Sequence, residues 1–432
     1  MASAATREEF AGLKSLEPLM DACVHCGFCL STCPSYLLLG SEGDSPRGRI
    51  HLMRAGLDER LPLSAGVVAR FDTCLGCMAC ETACPSGVRY APLIEEMRAA
   101  IEANHRRPFS ERVFRRLIFL VLPFPRRLRL LSRFNGALSV LQGWPRLFAR
   151  LPVQMRSAIT LNAVLPARTR RQSIPVNTPA VGEPRLKVGL VTGCVQSAYF
   201  SGVNQASARV LAAEGCDVTT PRSQGCCGAL ALHAGLDHEA RRFARKLISV
   251  FEGMGVDQIV VNAAGCGSTM KTYGELLKND PEWAERARAF ASRVRDISET
   301  LAEVGPPRAN RHPLEARVAY HDACHLAHAQ GVRQQPRAVL ATIPGVTVVP
   351  LADSEICCGS AGIFNLVQPE MAATLGERKV QRIAEASPDV VVTSNPGCLV
   401  QIAAAARKAN ASIRIVHLVE LLDESIRAES RD

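Results

Sequence analysis

Beyond residue 185 the chain alternates two hydrophobic patterns. Short apolar runs, VGLV at 188–191, IVVN at 259–262 and VVVT at 390–393, lie between Gly, Asn or Pro positions and read as strands. Between them run longer segments such as HEARRFARKLISVFEGM at 238–254, whose apolar residues recur at helical spacing. This rhythm predicts a mainly parallel sheet flanked by helices.

The pattern is written twice. KVGLVTGC, ending at Cys194, parallels RVAYHDAC, ending at Cys324, an offset of 130 residues. GCCGALALHAG, with Cys226 and Cys227, parallels ICCGSAGIFNL, with Cys357 and Cys358, at an offset of 131. QIVVNAAGC, ending at Cys266, parallels DVVVTSNPGC, ending at Cys398, at 132. Three anchors at nearly constant spacing define an internal repeat. Most of these cysteines follow strand-like runs, which places them at the carboxyl ends of strands, where open α/β sheets bind ligands.

Upstream, residues 105–184 follow no such rhythm. Pro123, Pro125, Pro145, Pro152, Pro166, Pro175 and Pro179 cut them into short pieces, which predicts a linker with brief helices. Its longest apolar run, Leu117 to Leu122, is far short of the roughly 20 residues a spanning helix needs, so no transmembrane segment is expected. At 432 residues the chain is too long for one core. The expected division is 1–104, 105–184, 185–312 and 313–432.

Cysteine usage changes the picture from fold to chemistry. There are seventeen, an odd number, and the start MASAATREEFAGLKSLEPLM has no apolar core of a secretory signal. Disulfides are therefore not expected, and reduced thiols available to metal in a cytoplasmic setting are. Eight fall in two runs, Cys23-x2-Cys26-x2-Cys29-x3-Cys33-Pro34 and Cys74-x2-Cys77-x2-Cys80-x3-Cys84-Pro85. This is the bacterial ferredoxin spacing, in which the fourth thiolate ligates the other cluster. Two [4Fe–4S] clusters are expected, one on Cys23, Cys26, Cys29 and Cys84, the other on Cys74, Cys77, Cys80 and Cys33. Structural zinc instead uses two short cysteine pairs per ion, without a third cysteine at the same step. Gly27, Gly76 and Gly87 are either positions that let amides approach cluster sulfurs or plain turn glycines.

The remaining nine cysteines lie between Cys194 and Cys398. Cys194, Cys226, Cys227 and Cys266 form one candidate metal-ligating set, and Cys324, Cys357, Cys358 and Cys398 the other. Adjacent cysteines cannot both point into one core, and a vicinal disulfide is strained. One or two further iron–sulfur clusters are expected here. The plainer alternative is eight buried thiols. Cys216 has no counterpart in the second copy and is read as a core residue. His321, His325 and His328 flank Cys324; capping and packing near a helix start is the preferred reading, with tuning of a cluster as the alternative.

The net charge of +10 is local: fifteen arginines and one acid, Glu111, occupy residues 105–172. VFRRLIFLVLPFPRRLRLLSRF interleaves bases with large apolar residues, as interfacial helices do, and is expected to dock on an anionic membrane or on partner subunits. Nucleic acid is not an expected partner, because the window holds one tryptophan and no tyrosine for stacking.

The doubled ferredoxin motif, the Arg-rich middle and the two CCG-type cysteine-rich repeats resemble the glycolate oxidase iron–sulfur subunit family. The resemblance covers nearly the whole chain, through CVHCGFCLSTCPSY, GDSPRGRIHLM, CLGCMACETACPSGVRY, HDACHLAHAQGVR, SEICCGSAGIFNLVQPEMA and SNPGCLVQI. It implies an N-terminal α-helical ferredoxin-type module ahead of two α/β CCG domains. It also implies an electron-transfer subunit that takes electrons from FAD-binding dehydrogenase subunits oxidising glycolate to glyoxylate. The acceptor would be a quinone or another carrier, and the location the cytoplasm, peripherally on the inner membrane. No catalytic residue is expected in this chain, which lacks a G-x-G-x-x-G after a strand and a P-loop. The wider superfamily offers two alternatives: a heterodisulfide reductase-like enzyme, or the iron–sulfur subunit of a lactate or glycerol-3-phosphate dehydrogenase. Heterodisulfide reductases end each repeat with C-x2-C; here Thr269 and Gln401 stand where the last cysteine would be.

Overall fold

The computed structural model describes residues 9–132, 144–165 and 173–427. The termini and segments 133–143 and 166–172, with Arg133, Pro166, Arg168, Arg170 and Arg171, lie outside the described residues.

The N-terminal module is helical. Its longest helix, Tyr90–Asn104, places Leu93, Ile94, Met97 and Ile101 on one face. That stripe packs with Phe10, Leu13, Met53 and Phe71 into a fully buried core. Helix Pro46–Leu57 starts where helix chemistry dictates: Pro46 stands at the first helical position, and the Ser45 hydroxyl accepts the Gly48 N–H at 3.0 Å.

Each repeat is a parallel sheet between helices. Strands β1 (Asn177–Thr178), β2 (Leu186–Val191), β3 (Cys216–Thr219), β4 (Gln258–Val261) and β5 (Val294–Asp296) form one sheet in the order β1-β3-β2-β4-β5. Strands β6 (Ala316–Tyr320), β7 (Val346–Val349), β8 (Val390–Thr393) and β9 (Arg414–His417) form the other in the order β7-β6-β8-β9. All pairings are parallel except the short edge strand β1, which runs against β3. The central strands are buried on both faces, as parallel strands covered by helices must be. Helix Asp237–Phe251 covers its sheet with Phe243, Ala244, Leu247, Ile248 and Phe251.

The repeats interlock reciprocally. Helix Ser201–Ala213 of the first packs on helix Leu418–Arg427 of the second, while helix Gln334–Ala341 of the second packs on helix Ile297–Glu303 of the first. Val210 completes the second repeat's core and Val419 the first's. This exchange of equivalent helices is what a twofold relation between the copies produces.

The basic segment straps this assembly together. Arg107, nearly buried, bonds Asp72 at 2.7 and 2.9 Å, Glu102 at 2.8 Å and Glu111 at 3.0 Å, which fastens it to the ferredoxin module. Helix Phe109–Val121 then inserts Ile118 between Ala234 of the first repeat and Ile363 of the second. Helix Pro125–Ser132 buries Leu128 against Ala198 and Tyr199. Helix Val153–Asn162 packs on the second repeat, with the Ser157 hydroxyl donating to the Asn365 carbonyl at 2.7 Å.

His417, at the end of β9, is fully buried where the repeats meet. Its Nε2–H donates to the Asn262 carbonyl at 2.8 Å and its Nδ1 accepts the Val419 N–H at 3.2 Å, so the neutral ring is fully satisfied. Burial pushes its pKa from the ordinary 6.5 to about 4. The unfolded chain takes up this proton first, so the stability the ring contributes is present above about pH 6.5 and lost as pH falls towards 4. The gap corresponds to roughly 3 kcal/mol. Anaerobic urea unfolding should therefore weaken more steeply between pH 6.5 and 4.5 in the native protein than in His417→Gln; parallel pH profiles would contradict this.

Candidate metal centres

Both repeats gather their thiols at the carboxyl end of the sheet. Cys194 follows β2, Cys226 and Cys227 follow β3, and Cys266 lies in the first turn of helix Ala264–Lys271 after β4. β2 and β4 are the neighbours between which chain order reverses, the switch point where a crevice opens in such sheets. Cys324 after β6, Cys357 and Cys358 after β7, and Cys398 in helix Pro396–Lys408 after β8 repeat the arrangement. Gly228 and Gly359 follow the cysteine pairs at φ of 85° and 92°. A Cβ at Gly359 would stand 2.6 Å from the Ala372 carbonyl oxygen, so only glycine lets this turn close on its helix.

The sulfurs converge. Cys324 and Cys357 are 4.0 Å apart, Cys357 touches Cys358, and Cys358 touches Cys398. In the first repeat Cys226 touches Cys194 and Cys227, and Cys227 touches Cys266. Ionisation is shared unequally and identically in both. Cys227 and Cys358 are held well below the usual thiol range by hydrogen bonds from flanking thiols, while Cys226, Cys266, Cys357 and Cys398 are pushed up by donating them and by burial. Four contiguous buried thiols cannot all ionise unaided, whereas a soft cationic core among them stabilises every thiolate, so the donor sets fit a metal cluster. Cys216 stands apart, wholly buried in β3, its thiol pushed up to about 11 by burial.

In the ferredoxin module Cys33 leaves its loop as the residue before helix Pro34–Leu39. That helix start turns it away from the first run and into the second. Cys33, Cys74, Cys77 and Cys80 line one small cavity, together with Arg49 and Tyr90. Cys29 lies near Cys23, Cys26 is exposed, and Cys23 and Cys84 are half-buried against the same helical core. Gly76, at φ 63°, directs its N–H at the Cys74 sulfur at 3.4 Å.

A buried cation sits over the Cys74 set. Arg49, within the SPRGR stretch, is 1% exposed; it donates to the Arg70 carbonyl at 2.6 Å, to Thr73 at 2.9 Å and to Ser35 at 3.0 Å. Its charge, with that of Arg98, the Gly76 N–H and the Tyr90 hydroxyl, overcomes the burial of Cys74 and lowers its thiol pKa. The role of this arginine is invisible in spacing alone, because its partners come from residues 35, 70 and 73.

The module docks so that its second thiol set meets the second repeat. Cys77, Cys324 and Cys357 share one apolar cluster with Leu75, Phe364 and Leu375. The proximity of Cys324 adds to the burial that raises the Cys77 pKa. His325 ties three units at one point: Nε2 bonds the Gly76 carbonyl at 2.8 Å and Nδ1 the Ser268 hydroxyl at 3.0 Å. His328 Nδ1 bonds Thr82 at 3.0 Å. These two histidines hold a domain junction, a role beyond the capping expected from their position. His321 is placed differently, against Cys358 and Cys398.

Comparison with known proteins agrees with this layout. The 4Fe-4S dicluster domain family matches residues 19–88, and the Cysteine-rich domain family matches residues 188–271 and 318–403. The chain is 36% identical over 418 residues to the probable glycolate oxidase iron-sulfur subunit of Bacillus subtilis, covering 93% of each. It is 35% identical over 436 residues to the glycolate oxidase iron-sulfur subunit of Escherichia coli, covering 98% of this chain and 99% of that one. Lactate utilization protein A of Exiguobacterium sp. is 30% identical over 240 residues, 98% of its length but 56% of this chain. With a dicluster module and both cysteine-rich repeats matched along nearly its whole length, the chain belongs to the glycolate oxidase iron–sulfur subunit family.

Proposed function

We propose that this chain is the electron-transfer subunit of a glycolate-oxidising complex. FAD-binding partner subunits take a hydride from glycolate, giving glyoxylate, and electrons then move through the thiolate-held centres of this chain towards a quinone or another acceptor. Cys23, Cys26, Cys29 and Cys84 hold one [4Fe–4S] cluster, and Cys74, Cys77, Cys80 and Cys33 the second. Cys194, Cys226, Cys227 and Cys266, and Cys324, Cys357, Cys358 and Cys398, hold further iron–sulfur centres. The observation that carries this reading is the shared apolar pocket of Cys77, Cys324 and Cys357, which supports an unbroken series from the ferredoxin module into the second repeat. A disulfide-reducing enzyme is less well supported: Gln401, in place of the fifth cysteine, is bonded to Ala372 and Asn365 as a packing residue.

Among the described residues no helix is long and apolar enough to cross a membrane. The basic strap nonetheless presents Phe109, Val113, Leu117 and Leu120 to solvent on helix Phe109–Val121, beside exposed Arg112 and Arg116. An apolar stripe flanked by arginines suits an anionic membrane surface on the cytoplasmic face, close to a lipid-soluble acceptor. The protein should float with anionic vesicles and less so at high salt, and replacing Phe109, Leu117 and Leu120 by serine should abolish this. Equal flotation of both forms would leave the stripe to a protein partner.

The crossover of ligands predicts which variants behave alike. Cys33→Ser should remove the same spectroscopic signal as Cys74→Ser, and Cys84→Ser the same as Cys23→Ser, each leaving about four of the module's roughly eight irons. If Cys33→Ser instead matched Cys23→Ser, each run would hold its own cluster.

Arg49 predicts a potential. A buried cation beside the Cys74 set favours the more negative, reduced state, so Arg49→Met should lower that midpoint by about 50–100 mV while Arg49→Lys largely preserves it. An unchanged midpoint in Arg49→Met, with the signal intact, would contradict this.

A further inference from the structure

The two repeats match in strand order, cysteine placement and thiol ionisation, but not in what faces the thiols. Aligning RVAYHDAC with KVGLVTGC sets His321 against Val191. Aligning the two covering helices through Ala240 and Ala372, which meet the glycines after each cysteine pair, sets Lys379 against Leu247. Val191 and Leu247 are buried and pack with Cys227, so the first site has an apolar wall. The second has an imidazole and an ammonium in the same places.

His321 is fully buried, and neither of its ring nitrogens bonds an oxygen or a nitrogen; the polar group it meets is the Cys358 thiol. Burying an imidazole away from water and from any oxygen or nitrogen partner is costly, a cost the fold tolerates where the group has another partner. Its ring nitrogen and the sulfurs of Cys358 and Cys398 all lie within 4.8 Å of one another. That is ligand-set geometry. Position reinforces chemistry: His321 directly follows β6 at the switch point, so its backbone is fixed by the sheet, its N–H donating to the Val392 carbonyl at 2.8 Å. Lys379 is 2% exposed, its ammonium bonded to the Asp353 and Ser354 carbonyls, with its charge directed at Cys357, Cys358 and Cys398.

We propose that His321 is an iron ligand, so that the second repeat holds a mixed thiolate–imidazole iron–sulfur centre and the first an all-thiolate one. This rests on the reading that the repeats hold iron. A neutral imidazole fills a ligand position without adding the negative charge that a thiolate there would bring, and the nearby ammonium favours the more reduced state, so the potential of the second centre is held up. The second site is therefore the more oxidising of the two. It is also the one in contact with the ferredoxin module through Cys77, so electrons entering the repeats are drawn to it first.

The test is pulsed EPR on full-length protein reconstituted anaerobically with iron and sulfide, with and without ¹⁵N-histidine. A strongly coupled nitrogen that shifts with the isotope is expected in the native protein. In His321→Cys, which supplies a thiolate in its place, iron content should persist, that coupling should vanish and one midpoint should fall. In Val191→Cys neither coupling nor that midpoint should change. If the protein holds more than about eight irons but shows only the weak coupling of a hydrogen-bonded imidazole, or if His321→Cys leaves a strong coupling in place, His321 is not a ligand. If the native protein holds only the ferredoxin module's eight, the reading of the repeats fails and this inference with it.

Discussion

Thiols that are to hold iron must be gathered, buried and brought close to the next set, and the contact of Cys77 with Cys324 and Cys357 is where all three requirements meet. The ferredoxin module could have docked anywhere on the repeats. It docks where its own buried sulfurs face those of the second sheet. His325 secures that choice by bonding Gly76 of one unit and Ser268 of another. Arg98 adds bonds to the Cys74 carbonyl at 2.5 Å and to the His233 carbonyl at 2.8 Å. Shifting this junction would break polar contacts and separate two sets of thiols at once.

The sheets supply the rest by topology. A parallel strand order that reverses between its first and third strands opens a crevice at their carboxyl ends, and the repeat places a cysteine or a cysteine pair after each of three strands around it. Reciprocal helix exchange fixes the two sheets relative to each other, and the strap from Arg107 onwards fastens the module to both. Low dielectric then does two things. It keeps each thiol set from ionising fully without a cationic core, and it gives buried Arg49 and Lys379 strong electrostatic leverage on the sulfurs beside them.

Much of this was legible in the sequence because it rests on local patterns. Strand-like VGLV, IVVN and VVVT, the helix over 237–251, the offset between copies and the cysteine spacings are all short-range signals, and the structure places their residues together. The two-residue edge strand β1 left no such signal, since its pairing with β3 is a tertiary event. The basic segment read as a linker because its helices Phe109–Val121, Pro125–Ser132 and Val153–Asn162 each bury little more than one large residue, Ile118, Leu128 or Ile159, too few to form a visible stripe. Arg49 and His325 act through partners distant in the chain, which spacing cannot show. His321 is legible in the sequence, with capping preferred and cluster tuning as the alternative; setting the two repeats side by side sharpens that, because it exposes a histidine opposite a valine, next to a strand end that both copies otherwise keep.

The central claim is that iron-bearing thiol sets run in series from the ferredoxin module into the repeats. Anomalous scattering at the iron edge, from crystals of anaerobically loaded protein, tests it most directly. The account predicts iron at the Cys33–Cys74–Cys77–Cys80 set and at the Cys324–Cys357–Cys358–Cys398 set, as neighbours with the Cys77–Cys324 contact between them. Iron confined to the first hundred residues, with the cysteines of both repeats bare, would contradict it.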